Sequence, residues 1–205
     1  MKNISKLKEE LLEALRIRRC TLLAPSLGRI VASVAILVRE FGGGLQLLYL
    51  LRTQRRGDPW SGHISFPGGK IEMSDDGPRE AAIRETLEET SLDLTQENFV
   101  CRLDDQITNY KRVNVAAFVF TVSNTISISF NQEISAGFWI SLTDLMDRKR
   151  YIRTVVSGEW GKQEVPAIDL LDGEGPALWG LTYRFTSQIL ACVNHPLPGG
   201  SGVHI

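Results

Sequence analysis

The order of apolar and polar side chains divides the chain into helical and extended stretches. Ile4, Leu7, Leu11, Ala14 and Leu15 recur at steps of three and four, with Lys6, Glu9, Glu10 and Glu13 on the remaining surface. That spacing predicts an amphipathic helix whose apolar stripe covers core or a partner. Residues 30–38 and 45–51 are β-rich runs joined by Phe41-Gly42-Gly43-Gly44, which predicts a hairpin. A polar connection, 53–62, leads to the short apolar run Ile64-Ser65-Phe66, which Pro67-Gly68-Gly69 ends. Helical spacing returns over 78–91. Pro78 suits the first turn, where its missing N–H costs nothing, and Asp75 or Asp76 is expected at the N-terminal cap. Residues 99–103, 113–122 and 134–140 predict further strands. Ser141-Leu142-Thr143-Asp144 predicts a helix running to about residue 150, and 177–193 a buried helix; an irregular Pro/Gly-rich end follows from His195.

Strands and helices in no regular βαβ alternation predict an α+β chain or a mixed-sheet α/β/α sandwich. The 205 residues suit one domain, divided here into an N-terminal helix and connection (1–28), a main domain (29–194) and an irregular tail (195–205). A hydrophobic content of 43% argues against disorder. The 23 basic and 24 acidic residues give no overall field to draw in nucleic acid or an anionic membrane, so neither is expected as a partner. Cys20, Cys101 and Cys192 are odd in number and far apart in sequence, which argues against a disulfide framework and a thiolate metal site. The N-terminus lacks the apolar core of a secretory signal, and no run approaches the roughly 18 apolar residues of a membrane span. The expectation is a soluble, cytoplasmic protein.

The window with the most chemistry is residues 66–92. On a helix, Glu85, Glu88 and Glu89 project within a sector of roughly 100°. Like charges at these steps repel by a few tenths of a kcal/mol per pair. A solvated acidic face is the plain reading of such a string. The other is a site for a hard divalent cation, Mg²⁺ above all, held by carboxylates together with substrate phosphates. Arg84 could orient a carboxylate by a charge-assisted hydrogen bond, and Gly68-Gly69 lets backbone come close enough for Gly69 to offer its carbonyl. Residues 68–93 carry eight acids and three bases, a local −5 on a remainder of +4.

This window resembles the signature of the Nudix hydrolases: Gly, five residues, Glu, seven residues, Arg-Glu-aliphatic-any-Glu-Glu-any-Gly-aliphatic. Arg84, Glu85, Glu88, Glu89 and Leu92 match the second half, whereas Thr86 replaces the aliphatic residue and Ser91 the glycine. Counting back eight from Arg84 reaches Asp76 where the signature has glutamate, and Gly69 lies one residue too far from it. The same spacing is similar to the coenzyme A pyrophosphatase-like branch, with Phe66-Pro67-Gly68-Gly69, Glu72, Asp75 and Ala81-Ala82-Ile83-Arg84-Glu85. Glu133-Ile134 before Phe138-Trp139-Ile140-Ser141-Leu142, and Leu178-Trp179-Gly180-Leu181-Thr182, resemble other stretches of that branch. The branch usually has His-any-Gly-Gln-Val before its Phe-Pro-Gly-Gly, where this chain reads Trp60-Ser61-Gly62-His63-Ile64. Asp58-Pro59-Trp60-Ser61-Gly62-His63 is similar to a related subgroup instead.

The resemblance implies a Nudix fold and Mg²⁺- or Mn²⁺-dependent hydrolysis of a diphosphate in a nucleoside diphosphate derivative, with coenzyme A or its derivatives as a substrate class. Alternative substrates are ADP-ribose, nucleotide sugars, dinucleotides and nucleoside triphosphates. A non-catalytic nucleotide-binding module is the alternative of another class, and the retained glutamates favour the enzyme. Glu88 and Glu89, with Glu85 third, are implied metal ligands, Gly69 a backbone ligand and Arg84 an orienter. The general base lies either on the signature helix, as Glu85, or downstream, as Glu133, which is otherwise an ordinary loop carboxylate. Arg52, Arg55 and Lys70 are candidates for the substrate's phosphates, and Trp60 either stacks on a base or seals its loop. His63 reads as a structural hydrogen bonder, and His195 and His204 as incidental. A family tendency to dimerise points to a homodimer, for which Ile4, Leu7 and Leu11 offer a surface.

Overall fold

Two glycines close the first hairpin. The computed structural model describes residues 4–23, 30–57, 60–94, 99–108, 113–158 and 161–200. In it, β1 (Ala32–Phe41) and β2 (Gly44–Arg52) pair from Val38↔Leu47 to Phe41↔Gly44, and Gly42 and Gly43 both take positive φ at the turn. Beyond this short ladder the two strands part, and the chain fills the gap with β3 (Ile64–Ser65) and β4 (Gly68–Lys70). β3 pairs with β2 at Leu50↔Ser65 and Leu51↔Ile64, while β4 pairs with β1 at Ser33↔Gly69 and Val34↔Gly68. The Ala35 N–H donates to the Pro67 carbonyl at 2.8 Å and the Arg52 N–H to the His63 carbonyl at 3.1 Å, which fastens the wedge on both sides.

Parallel to β1 runs β7 (Asn114–Val122), with β5 (Phe99–Arg102) and β6 (Gln106–Ile107) antiparallel to it; β8 (Ile134–Ser141) lies antiparallel to β2 and completes an eight-stranded mixed sheet. Alternation along the strands sorts the core into two layers. Ile36, Val38, Leu47, Tyr49, Ala117 and Val119 face Leu7, Leu11 and Leu15 of α1 (Ile4–Ile17) and Tyr183, Phe185, Ile189 and Leu190 of α4 (Gly180–Ala191). Ala35, Leu37, Leu48, Leu50, Phe118 and Phe120 face the other way, with Ala82 of α2 (Pro78–Thr90). The result is an α/β/α sandwich, and strands buried on both faces explain why β1, β2 and β7 read as near-continuous apolar runs. The apolar stripe of α1 covers core of its own chain. No helix among the described residues is long and apolar enough to cross a membrane.

Several boundaries differ from the sequence expectation. The Ser141 side chain does cap a helix, accepting from the Asp144 N–H at 3.0 Å, yet α3 (Leu142–Leu145) lasts one turn. A 3₁₀ turn over Arg148–Arg150 follows, with the Asp147 side chain accepting from the Lys149 N–H. The chain then forms β9 (Tyr151–Gly158) and β10 (Gly161–Ile168), a hairpin absent from the sequence reading; it joins β11 (Leu178–Trp179) in a second, three-stranded antiparallel sheet. Pairing of Leu178 and Trp179 with Ile168 and Ala167 keeps these residues extended, so the last helix starts at Gly180 instead of 177. The expected irregular tail is tied down as far as residue 200. Leu197 is buried, its N–H donates to Ser187 Oγ at 3.1 Å, and the Tyr183 hydroxyl donates to the Pro198 carbonyl at 2.6 Å. His195 is a tether as well, with Nε2 2.9 Å from the Tyr151 hydroxyl. His204, Asp58 and Pro59 lie outside the described residues.

The ends of α2 bear on the site. Its N-cap is Gly77 with no side-chain cap, Pro78 following at the first position, so neither Asp75 nor Asp76 caps it. At the other end Ser91 adopts φ 57 and ψ 20, left-handed backbone, and its N–H donates to the Leu87 carbonyl at 2.9 Å. Glycine accepts this conformation without the cost of about 1 kcal/mol that a Cβ brings. Ser91→Gly also gives up the hydroxyl contact with Ser129 Oγ at 2.8 Å, which is exposed. The net expectation is a gain of up to about 1 kcal/mol, seen as a rise in Tm of roughly 1–3 °C on thermal unfolding. A fall in Tm would show that the hydroxyl contact outweighs the backbone relief.

Candidate active site

The wedge of β3 and β4 brings glycine backbone against the acidic face of α2. At Gly68 a Cβ would run into the Ser33 carbonyl and the Val34 backbone, so no larger residue fits between β1 and α2. This lets the Gly68 N–H reach Glu89 Oε2 at 2.9 Å. A Cβ at Gly69 would fall on the Glu85 carboxylate itself. The three glutamates are graded in depth, with side chains 53% exposed at Glu88, 18% at Glu85 and 4% at Glu89. Burial pushes the Glu89 carboxyl up to about 7, against the Gly68 N–H and Arg52, which favour its charge; Glu85 and Glu133 add to the rise. Glu85 is also raised, mainly by burial, with Arg84 opposing.

Arg84 occupies the middle of this array. Its Nε and Nη2 grip the Asp75 carboxylate at 2.9 and 3.0 Å in a forked pair, and Nη2 also donates to the Lys70 carbonyl at 3.0 Å. Nη1 reaches Glu85 at 3.1 Å and Glu88 at 3.3 Å. Asp75 is almost fully covered and takes the Glu72 N–H at 2.8 Å as well; the Arg84 contact holds its carboxyl below the ordinary range. Counting back eight residues from Arg84 reaches Asp76, but the acid that faces Arg84 is Asp75, carried there by the turn 73–77, and this use of its carboxylate leaves nothing for the helix N-terminus.

The opposite wall comes from β2 and from the loop before β8. Arg52 Nη1 lies 3.5 Å from Glu89 and Nη2 4.0 Å from Glu133, while Arg55 Nη1 donates to Glu133 at 3.0 Å. The Glu133 carbonyl accepts from the Thr53 N–H at 2.8 Å, so the start of the 53–63 loop and Glu133 are one unit. Arg52, Arg55, Glu85, Glu88, Glu89, Arg84 and Gly69 therefore form one connected group with Glu133. Lys70 joins it by its carbonyl, and its side chain is exposed. Trp60 is 38% exposed on the far part of the same loop. His63 stacks edge-on against Trp179, centroids 5.0 Å apart, which links the loop to the second sheet. Trp179 is a contributor to which the sequence assigned no role, and Asp75, expected at the helix cap, takes the forked Arg84 contact, which follows from chain reversal at 73–77 and which spacing alone does not resolve.

Among the described residues no three His, Cys, Asp or Glu side chains converge as a ready-made metal cage. The donor set nevertheless suits a hard cation. Three carboxylates line one helix face, and at Gly69 the backbone meets the Glu85 carboxylate where any Cβ would stand. Arg84 bridges Glu85 and Glu88 in the arrangement seen, and this offsets their repulsion.

Comparisons with known proteins agree with this architecture. The human mitochondrial coenzyme A diphosphatase NUDT8 is 41% identical over 69 residues, which cover 33% of this chain and 29% of that protein. An uncharacterized protein of Schizosaccharomyces pombe is 32% identical over 108 residues, covering 49% of this chain and 33% of its own. The chain thus spans about a third of the length of these relatives. The crystal structure of a MutT/nudix family protein from Enterococcus faecalis shares the fold, with a TM-score of 0.52 at 16% identity, over 86% of this chain and 68% of that one. The family profile described as NUDIX domain matches residues 29–156, more than half of the sequence, and the chain belongs to the Nudix family.

Proposed function

We propose that the protein is a divalent-cation-dependent hydrolase that cleaves the diphosphate of a nucleoside diphosphate derivative. The observation that carries this reading is the opposition of Glu85, Glu88 and Glu89 to the Gly68-Gly69 backbone, with Arg52 and Arg55 on the facing wall. Glu88, Glu89 and Glu85 would hold Mg²⁺ or Mn²⁺, with the Gly69 carbonyl as a further donor. When bound, such a cation neutralises diphosphate charge and makes a coordinated water more acidic. Arg84, fixed by Asp75, sets the orientation of Glu85 and Glu88. Arg52 and Arg55 are the groups an incoming diphosphate meets first as counter-charges. Arg55 is paired with Glu133, whereas Arg52 lies nearer to Glu89, so a phosphate that takes Arg55 frees the Glu133 carboxylate to accept a proton from water.

The finer reading is a coenzyme A or acyl-coenzyme A substrate. It is supported by the Phe66-Pro67-Gly68-Gly69 spacing and by the stretch shared with the human coenzyme A diphosphatase. The test is a panel of coenzyme A, acyl-coenzyme A, ADP-ribose, dinucleotide cofactors, nucleotide sugars and nucleoside triphosphates, incubated with the purified protein and Mg²⁺ or Mn²⁺. Cleavage of at least one member is expected. Release of 3′,5′-ADP and a phosphopantetheine selects coenzyme A; efficient ADP-ribose cleavage without it defeats that choice. Tight binding of a panel member with no turnover of any would make the chain a nucleotide-binding module.

A further inference from the structure

Phe130 remains 38% exposed in the stretch that joins β7 to β8. Its surroundings are fixed. The Ser129 N–H donates to the Thr90 carbonyl at 3.1 Å and the Asn131 N–H to the Glu89 carbonyl at 3.3 Å, so both neighbours of Phe130 are tied to the last turn of α2. Asn131 Oδ1 accepts from the Glu133 N–H at 2.8 Å, which sets the loop's exit. Ile128, two residues earlier, packs into the core layer beneath α2, whereas Phe130 stays at the surface.

The ring is held at its tip. A Cβ on Gly137 of β8 would run into Phe130 Cζ, with both Cε atoms close behind, so the missing side chain there is what admits the ring. Gly137 pairs with Leu50, and cross-strand partners share a face of a sheet. Leu50 belongs to the layer on the α2 side. Phe130 therefore stands on the same face as the acidic helix, beside the turn that carries Glu89 and three residues from Glu133. Contact at the tip leaves the flat faces of the ring as the surface with most to offer a ligand.

We propose that Phe130 is the platform on which the aromatic base of the substrate stacks, while the diphosphate lies toward Arg52, Arg55 and the acidic helix. This rests on the proposed hydrolysis of a nucleoside diphosphate derivative. Leaving more than a third of a phenylalanine in water forfeits stabilisation that full burial would bring. A ring already held in place loses little freedom when a ligand covers it, so its stacking energy is retained. Stacking on a π-face tolerates any base and discriminates by area more than by hydrogen bonding, so a broad preference among purines is the expected signature.

Titration calorimetry with AMP and with ribose 5-phosphate, both in Mg²⁺, tests this without requiring turnover. The parent should bind AMP more tightly than ribose 5-phosphate. Phe130→Ala should weaken AMP by about tenfold and leave ribose 5-phosphate within about twofold, and Phe130→Trp should keep AMP binding. Equal weakening of both ligands, AMP within twofold of the parent, or no preference for AMP in the parent would each overturn the proposal. Phe130→Leu replaces the alanine variant if thermal unfolding shows the latter to be unfolded. For a cleaved panel substrate, the change should raise KM about tenfold with kcat within about threefold. The expected titrations without any hydrolysis would defeat the enzymatic reading and leave the platform standing. Hydrolysis without the AMP contrast would do the reverse.

Discussion

Glu88→Gln and Glu89→Gln should each lower kcat on any cleaved substrate by about 100-fold or more, because each removes a full negative charge that a bound cation needs. The two changes differ in what else they touch, which makes the pair informative. Glu88 is over half exposed and forms an ion pair with Arg84, so its replacement leaves packing and backbone contacts intact. Glu89 is buried and accepts the Gly68 N–H, a bond that a glutamine carbonyl oxygen can still accept. Loss of activity in both variants, with unchanged far-ultraviolet circular dichroism, assigns the loss to charge. Activity within twofold of the parent in both would remove the metal assignment. In the same series Glu133→Gln should lower kcat with little change in KM, as a proton acceptor requires, and a rate within about twofold of the parent would reject that role.

How far the sequence reaches depends on the distance over which a contact is made. The spacing of Arg84, Glu85, Glu88 and Glu89 is a property of one helix, and a period of 3.6 residues places those side chains together whatever the rest of the chain does. The double glycine beside them also reads locally, since few reasons exist for two such residues before a charged helix. The Arg55 contact with Glu133 spans 78 residues and depends on β2 and β8 being neighbours, which no local pattern states. Asp75 was expected at the cap of α2 and takes Arg84 instead, because a turn, unlike a helix, has no fixed step from which to place a side chain. The β9–β10 hairpin escaped notice because its outer half is solvated: Arg153 and Glu164 pair across it at 2.8 Å, both well exposed, and Val155 is exposed too. Without one dry face, a strand loses the alternation by which strands are recognised. Phe130 belongs to a stretch with no periodicity at all, and its place is set by long-range contacts, the ties of Ser129 and Asn131 to α2 and the seat on Gly137.

Metal-free protein should lose stability as pH rises from about 5 to 8, and Glu89→Gln should abolish most of that loss. In the folded state burial holds the Glu89 carboxyl at about 7, whereas an unfolded chain titrates it near about 4.3. Between those values the folded state binds more protons than the unfolded one, so its advantage is complete below the lower value and declines until the upper one is passed. With a side chain 4% exposed, little solvent screening reduces the effect, and the loss is on the order of 3 kcal/mol. For a chain of this size that corresponds to roughly 5–10 °C in Tm. Other groups add their own pH dependence. Glu85, also raised, adds to the decline, while His195, lowered chiefly by burial, contributes stability that grows as pH rises toward its unfolded value. The difference between parent and Glu89→Gln, measured by thermal unfolding in a chelator at each pH, cancels these shared contributions. The variant should be the more stable protein at pH 8 and close to the parent at pH 5. Adding Mg²⁺ should raise the parent at pH 8 far more than the variant, because binding supplies the counter-charge that burial withholds. Parallel pH curves for the two proteins would show that the Glu89 carboxylate is already balanced by Arg52 and the Gly68 N–H. In that case the site would gain little from a cation at this residue.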